Sequence, residues 1–454
     1  MHILFASSEI FPFAKTGGLA DASYSLTQAL SKYAPISRVM PLYSFIMQDQ
    51  FERYDNFTIT LDEEDYPVEI FVKKEQNITT YFIKIAPLSQ TESLYGDVNG
   101  DYPDNALRFG LFCMAIVQLA LRLSIKLIHL NDWHTAMVAF FIKRDNLAIK
   151  TVLTIHNLAY QGIFDAKYLP TLGITHNYFT MDSLEFYGKI NFLKAGIAYC
   201  DMLTTVSHIY AREILTQEFG CGLEGFLQLH QKKLVGILNG IDYSQYKAFK
   251  NKEQKEKEKK NLCQQFGLQN HILPLFIMVS RLVAQKGVDL FIESLPQLKK
   301  KEINIFLVGE GEQSYCSKLQ NLSQKYNNFA FYEGYNERLS KQSYLAADFL
   351  LMPSVFEPCG LNQFIAMRNG TIPIVHAVGG LKESVHESQK QCGEGFCYQE
   401  QNQKEFFYAI ERALKLYEKP EQMDAVRAFN VQCDFSFQVS AKKYLAIYER
   451  VSCN

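Results

Sequence analysis

Few folds accommodate the grammar that recurs along this chain: a short apolar run, a turn, then apolar residues at helical spacing. Residues 1–6 form such a run, as a strand buried on both faces of a parallel sheet requires. Lys15-Thr16-Gly17-Gly18-Leu19 follows as a turn, and Leu19, Ala22, Leu26, Ala29, Leu30 and Tyr33 then repeat at helical spacing. The grammar returns at residues 126–130 before a helix from His134, at 152–155 before a loop, and at 202–206 before a helix capped by Ser207. Strands alternating with helices predict an α/β fold with a doubly wound parallel sheet.

Around Asn239-Gly240 the pattern breaks, and residues 242–270 are polar and charged. It restarts with a strand at 275–279, a loop holding Lys286-Gly287 and a helix from Val288. Further strands are expected at 303–308, 329–332, 348–352 and 372–375. A chain of 454 residues also exceeds what one hydrophobic core usually supports. Two Rossmann-like domains are therefore expected, residues 1–240 and 241–435, with a last apolar-periodic segment at 436–454 that pattern alone assigns to neither. Ligands of such sheets bind beyond the carboxyl ends of the strands, so two facing halves would enclose a deep cleft.

Composition narrows the partners. With 46 basic and 48 acidic side chains the net charge is −2, which leaves no basic excess for a nucleic-acid backbone. The Lys/Glu run at 252–260 reads as a solvated helix face. The ten cysteines are scattered, and only Cys392 and Cys397 form an isolated, wide pair. No secretory signal precedes them and no uninterrupted apolar run reaches the length of a membrane span. Free thiols in a reducing cytoplasm are the expectation.

Four segments carry chemistry. The two glycines after Lys15 let a backbone approach an anion at a helix start, although a Gly-Gly turn is equally good punctuation. In Ser280-Arg281-Leu282-Val283-Ala284-Gln285-Lys286-Gly287 two cations leave a strand end together, which suits a diphosphate leaving group better than it suits chance surface charge. Residues 353–363, P-S-V-F-E-P-C-G-L-N-Q, run from a strand into a helix near Leu361 and place Glu357 where it can accept hydrogen bonds from sugar hydroxyls. Asn131-Asp132-Trp133-His134 and Ile155-His156-Asn157 set polar groups and the only tryptophan at strand ends, as sugar recognition uses them. A zinc site of His129, Asp132 and His134 lacks a second cluster. A calcium loop at 97–101 fails because Tyr102 stands at the glycine position and Arg108 at the closing glutamate. There is no G-x-S-x-G elbow. No metal and no cofactor are expected.

These segments together resemble the bacterial glycogen synthase and plant starch synthase family. K-T-G-G-L-A-D, N-D-W-H-T, T-I-H-N-L-A-Y-Q-G, G-I-L-N-G-I-D, S-R-L-V-A-Q-K-G, F-E-P-C-G-L-N-Q and Gly379-Gly380-Leu381 stand in the family's order over nearly the whole chain. The resemblance implies a GT-B fold whose last helix crosses back to the first domain, an ADP-glucose donor and an α-1,4-glucan acceptor (glycogen or malto-oligosaccharide). It implies that Lys15, Gly17, Gly18 and Asp21 approach the donor, and that Arg281 and Lys286 neutralise its diphosphate. Glu357, Cys359 and Gly360 would hold the glucose with His156 and Asn239 on its other side, Leu361 and Asn362 would belong to the same nucleotide-sugar site, and Tyr335 would stack on the base. Tyr95, Asp132 and Trp133 would line the acceptor side, and Lys15, His156, Arg281, Lys286 and Glu357 form the implied catalytic set.

Two departures stand out. Val355 occupies a position where the family commonly carries arginine, and Ile365 one where related transferases carry a second glutamate; the latter argues against sucrose- and trehalose-type synthases. An α-linked donor and product imply retention, with departure of ADP and attack by the acceptor 4-hydroxyl on the same face. Three rivals share features of this reading. They are a sister transferase making another α-glucoside such as maltose 1-phosphate or using UDP-glucose, a sugar-nucleotide epimerase, and a glucan-binding protein without catalysis.

Overall fold

The computed structural model describes residues 1–97, 100–246, 248–387 and 393–453. Val98 and Asn99 of the rejected calcium loop, and Cys392 of the cysteine pair, lie outside the described residues. The chain divides into two compact units. The first comprises Met1–Val206, Ala211–Ile237 and Phe437–Asn454, and the second Ser207–Tyr210 and Leu238–Ser436.

In the first unit nine strands form one sheet. Their order is Leu234–Gly236, Met202–Thr205, Lys150–Ile155, Leu127–Asn131, Ile3–Ala6, Ile36–Pro41, Ile78–Ile85, Glu64–Glu75 and Glu52–Leu61. Every pairing as far as Ile78–Ile85 is parallel, and the last two strands turn antiparallel. Ile3, Leu4, Phe5 and Ala6 are all 1% exposed or less, so both faces of this central strand are covered. That is why its sequence does not alternate. The antiparallel hairpin at 52–75 gives no such signal: Glu52–Leu61 is an edge strand with a single buried residue, and edge strands carry charge rather than apolar pattern.

The second unit holds a six-stranded, wholly parallel sheet. Its order is Phe329–Glu333, Asn304–Gly309, Leu275–Val279, Phe349–Met352, Ile372–His376 and Phe396–Tyr398. The chain builds outward from Leu275–Val279 in one direction, then returns to lay Phe349–Met352 on its other side. The crevice beyond the carboxyl ends of these two strands is a topological switch point, where ligands of open α/β sheets bind. In the first unit the corresponding point lies between Ile3–Ala6 and Leu127–Asn131.

Three observations depart from the sequence expectation. Ser207–Tyr210 and residues 238–240 belong to the second unit rather than the first. Ser207 Oγ donates to Pro358 O at 2.8 Å, and one carboxylate, Glu383, accepts from the His208 N–H, the Ile209 N–H and the His208 ring. The charged run forms the helix Lys252–Gln265, but it is not a wholly solvated face. Lys255 and Lys259 are buried, Lys259 in an ion pair with Asp348 and Lys255 on the carbonyls of Leu345 and Asn369 and the Thr371 hydroxyl. Their spacing of four puts both on the inner face while the other lysines and glutamates stay in water.

The helix Asn105–Arg122 is long and apolar enough to cross a membrane by length and composition, the only such helix among the described residues. With 78% of it buried inside the protein, it is a core helix of the first unit. The last helix, Phe437–Cys453, also belongs to the first unit. Phe437, Ala441, Tyr444, Ile447, Tyr448 and Val451 lie along one stripe of it, packed with Ile3, Phe5, Ala22, Leu26, Leu127, Val152 and Met202. His129 completes the joint, its Nδ1 at 2.5 Å from Tyr448 Oη and its Nε2 at 2.6 Å from Thr154 Oγ1. A histidine that the sequence offered as a weak zinc ligand is thus a structural tie.

Candidate active site

Both loops that leave the switch point of the second unit are motif loops. Residues 280–287 follow Leu275–Val279, and residues 353–363 follow Phe349–Met352. Asn362 Nδ2 donates to Val279 O at 2.6 Å, tying the start of the second loop's helix to the end of the first strand. Gly287, at φ +67°, lies so close to Pro353 that a Cβ would fall on the Pro353 carbonyl oxygen. On the other flank the Gly380 N–H donates to Glu357 O at 3.0 Å, and a Cβ at Gly380 would run into the Cys359 backbone. Backbone contact of this closeness holds the Glu357 loop from two sides, and glycine alone permits it.

Within that frame Lys286 Nζ sits 2.6 Å from Glu357 Oε2, with the lysine side chain 19% and the glutamate 7% exposed. Ser354 Oγ donates to the same carboxylate oxygen at 3.1 Å, and the Ser354 carbonyl is in turn 2.7 Å from His376 Nδ1. A cation and a carboxylate are therefore presented together by short, fixed loops, with little of either side chain in water. Such a pair is preorganised to meet a diphosphate and neighbouring hydroxyls without first ordering long side chains. Cys359 is buried, and burial pushes its thiol up out of the thiolate range. It is a packing residue of the loop and not a nucleophile. Gly360 follows at φ +72°, Leu361 precedes the helix Asn362–Arg368 as its N-cap residue, and Asn239, also buried, bonds through its backbone to the Cys359 sulfur. Arg281 is exposed and has no ion-pair partner among the described residues. Tyr335, 62% exposed, stands after the end of Phe329–Glu333, where its N–H donates to the Glu310 carboxylate at 3.1 Å. Val355 donates its N–H to Gln285 O and leaves its side chain 44% exposed.

The first unit builds its set at its own switch point. Glu9, buried just beyond Ile3–Ala6, accepts from the Thr16 N–H, from Thr16 Oγ1 at 2.6 Å and from Tyr95 Oη at 2.6 Å. It thereby anchors the loop that carries Lys15, Gly17 and Gly18. Lys15 is salt-bridged to Asp21 at 2.8 Å on the first turn of the helix Gly18–Leu30. Gly17 has extended backbone, and a Cβ there would meet no atom within 4 Å, so the fold itself does not require glycine at that position.

Beyond Leu127–Asn131, Asp132 turns the chain at φ +56°, a conformation that side chains other than glycine rarely adopt and that marks functional turns. Its carboxylate accepts the His156 N–H at 2.7 Å, while His156 Nε2 lies 2.8 Å from Asn131 Oδ1. Burial pushes the Asp132 carboxyl up to about 7 and the His156 imidazole down to about 4, so the ring is neutral. Trp133 is only 8% exposed: its ring packs on Phe109, His134 and Phe164, and Gly162 is held against it. The open ring face expected for sugar stacking is thus covered. Tyr95 is half-buried, with its hydroxyl engaged by Ser8 and Glu9.

The structure therefore gathers Lys286, Glu357, Cys359, Gly360 and Asn362 at one point of the second unit. It gathers Asp132 and His156 beyond the strand ends of the first. Glu9 and Ser354 were missed by the sequence reading. The signal for Glu9 was an acidic residue directly after a buried strand, and for Ser354 a hydroxyl three residues before the glutamate it serves. Among the described residues no group of three or more His, Cys, Asp and Glu side chains could hold a metal ion.

Residues 2–229 match the starch synthase catalytic domain family, and residues 264–426 match glycosyl transferases group 1. The glycogen synthase of Aquifex aeolicus is 38% identical over 99% of each chain, and that of Syntrophotalea carbinolica 34% over 99% of each. Among solved structures, the catalytic domain of starch synthase IV from Arabidopsis thaliana, bound to ADP and acarbose, superposes with a TM-score of 0.90. It is 30% identical over 100% of this chain and 99% of that one. A sucrose-phosphate synthase from Thermosynechococcus elongatus, 18% identical with a TM-score of 0.68, shares the fold.

Proposed function

Because the chain belongs to the glycogen and starch synthase family of glucosyltransferases, we propose that it transfers glucose from ADP-glucose to the non-reducing end of an α-1,4-glucan with retention at the anomeric carbon. The observation that carries the reading is the Lys286–Glu357 pair, held at a switch point by two glycine-tight loops. In the resting protein Glu357 neutralises Lys286. A bound donor offers Lys286 its diphosphate and Glu357 the glucose hydroxyls, so both partners exchange one charge-assisted contact for another. As the bond from the anomeric carbon to the phosphate oxygen breaks, charge grows on the leaving ADP, and Lys286 with Arg281 stabilises it. The acceptor 4-hydroxyl forms the new bond on the same face and passes its proton to the departing phosphate. Glu357 positions the sugar and forms no covalent bond.

In the first unit the loop of Lys15, Gly17 and Gly18 supplies donor contacts, with Asp21 orienting Lys15. Asp132 and His156 supply hydrogen bonds to sugar hydroxyls, with Tyr95 and Trp133 as the packed wall that supports them. The chemistry assigned to these residues requires neither metal nor cofactor, and neither nucleic acid nor membrane enters as partner. A reducing, cytoplasmic setting is part of the proposal, supported by the free thiols of the described cysteines, six of which are buried.

The test is incorporation of labelled glucose into glycogen by the purified protein, with ADP-glucose and UDP-glucose side by side. Incorporation from ADP-glucose alone is expected. Preference for UDP-glucose would overturn the donor assignment and point to Val355 and Tyr335. No incorporation from either donor by folded protein would leave a small acceptor or a glucan-binding role in its place.

A further inference from the structure

A polar cavity lies in the first unit, at the amino ends of its strands. Lys150 opens the strand Lys150–Ile155, Asp201 immediately precedes Met202–Thr205, and Lys233 immediately precedes Leu234–Gly236. With Lys232 and Arg450 these residues line a cavity of about 390 Å³. Asp132 and His156 follow the opposite, carboxyl ends of the same sheet, about 20 Å away at the rise of an extended strand. The cavity is therefore separate from Asp132 and His156, and every residue lining it belongs to the first unit.

The charges in it are unevenly committed. Asp201 accepts from Lys150 Nζ at 3.2 Å and from the Thr151 N–H at 2.8 Å. Lys233 Nζ donates to the carbonyls of Ala198 and Cys200, closing the end of the helix Phe192–Tyr199. Lys232 and Arg450 have no such work: neither forms an ion pair or a side-chain hydrogen bond among the described residues. Four basic side chains and one carboxylate thus line the same concavity, which concentrates their field. Apolar surface adjoins them, since buried Met202 and Val451 and the 76%-exposed Leu229 line the same cavity. Its volume is in the range that accepts a small metabolite.

We propose that this cavity binds a small phosphorylated metabolite, its phosphate group between Lys232 and Arg450 and its uncharged part against Leu229, Met202 and Val451. A phosphomonoester matches the site on both counts, since it satisfies two uncommitted cations and leaves a neutral body for the apolar wall. The assignment is independent of the transfer reaction and of the donor site.

Titration calorimetry on the full chain tests it, with glucose 1-phosphate and inorganic pyrophosphate as probes and sulfate as the control for unspecific charge. The expected result is saturable glucose 1-phosphate binding that weakens at least about tenfold in Lys232→Ala/Arg450→Ala, the loss of two charge-assisted contacts. The same binding should be unaltered in Lys286→Ala, which separates the cavity from the donor site. Both substituted positions are exposed, so the double variant should fold and keep glucosyl transfer. Absence of saturable binding, or binding that survives the double substitution, would overturn the proposal. Binding of pyrophosphate without glucose 1-phosphate would overturn the role given to the apolar wall.

Discussion

Gly287 and Gly17 show how differently two glycines of one protein are employed. At Gly287 a methyl group would collide with the Pro353 carbonyl, and the backbone is left-handed as well. Gly287→Ala is expected to destabilise the second unit by about 2 kcal/mol or more in denaturant unfolding, through strain and a displaced Glu357 loop. At Gly17 a methyl group meets nothing. Gly17→Ala should leave stability within about 0.5 kcal/mol and, on the proposed function, instead raise the KM for the sugar nucleotide, because the methyl group would enter space assigned to the donor. Equal loss of stability in the two variants would refute the distinction. On the proposed function, Lys286→Ala removes the cation that stabilises the leaving phosphate as the bond breaks. Steady-state kinetics should show kcat lowered about 100-fold or more, and a change confined to KM would rule out that role.

Among the secondary-structure elements, the strand Leu127–Asn131, the helix Trp133–Arg144 after it and the turn after Lys150–Ile155 each carry an imidazole, with a common consequence. Burial lowers His129 to about 3, His156 to about 4 and His134 well below its ordinary value. In the folded protein these rings stay neutral, whereas in the unfolded chain they take up protons below about 6.5. The unfolded state then binds more protons, so stability falls as pH drops from about 6.5 toward 4. Asp132 acts in the opposite sense. Its folded value of about 7 lies well above the ordinary aspartate range, so acidification from about 7 toward 4 stabilises the fold through this group. Three imidazoles outweigh one carboxyl, and thermal unfolding should show a net loss of roughly 2–4 kcal/mol between pH 7 and pH 5. Asp132→Asn should steepen that loss by about 2 kcal/mol. An unchanged slope would mean that the carboxyl is not held protonated.

For the molecule as a whole, the decisive feature is that the first unit is not continuous in sequence. Its core closes only when Phe437–Cys453 lays six buried side chains over the sheet and the helix Gly18–Leu30. At about 1.5–3 kcal/mol for each large apolar side chain, an upper bound for burial, that stripe is comparable to the whole stability of a domain. A chain ending at Ser436 is therefore expected to lose the first unit and keep the second. Limited proteolysis should digest residues 1–206 of the truncated protein and spare a fragment of about 238–436. Survival of both fragments would show that the first core closes without its last helix.

Much of this organisation could be read along the chain. The strand Leu275–Val279 and the start of the helix Val288–Leu298 fall where periodicity put them, and the motif loops do lie beyond strand ends. Apolar period and glycine turns are local properties, imposed by backbone geometry whatever the rest of the molecule does. What only the tertiary structure decided is partnership. Lys286 and Glu357 are separated by 71 residues, and nothing in either neighbourhood specifies that they meet. The same holds for Glu9 with Tyr95, for Lys255 and Lys259 turned inward, for the covered ring of Trp133, and for Ser207–Tyr210 joining the second unit. Each depends on which distant surface the chain returns to, and that is settled by the closing of a core around many side chains at once rather than by any segment alone.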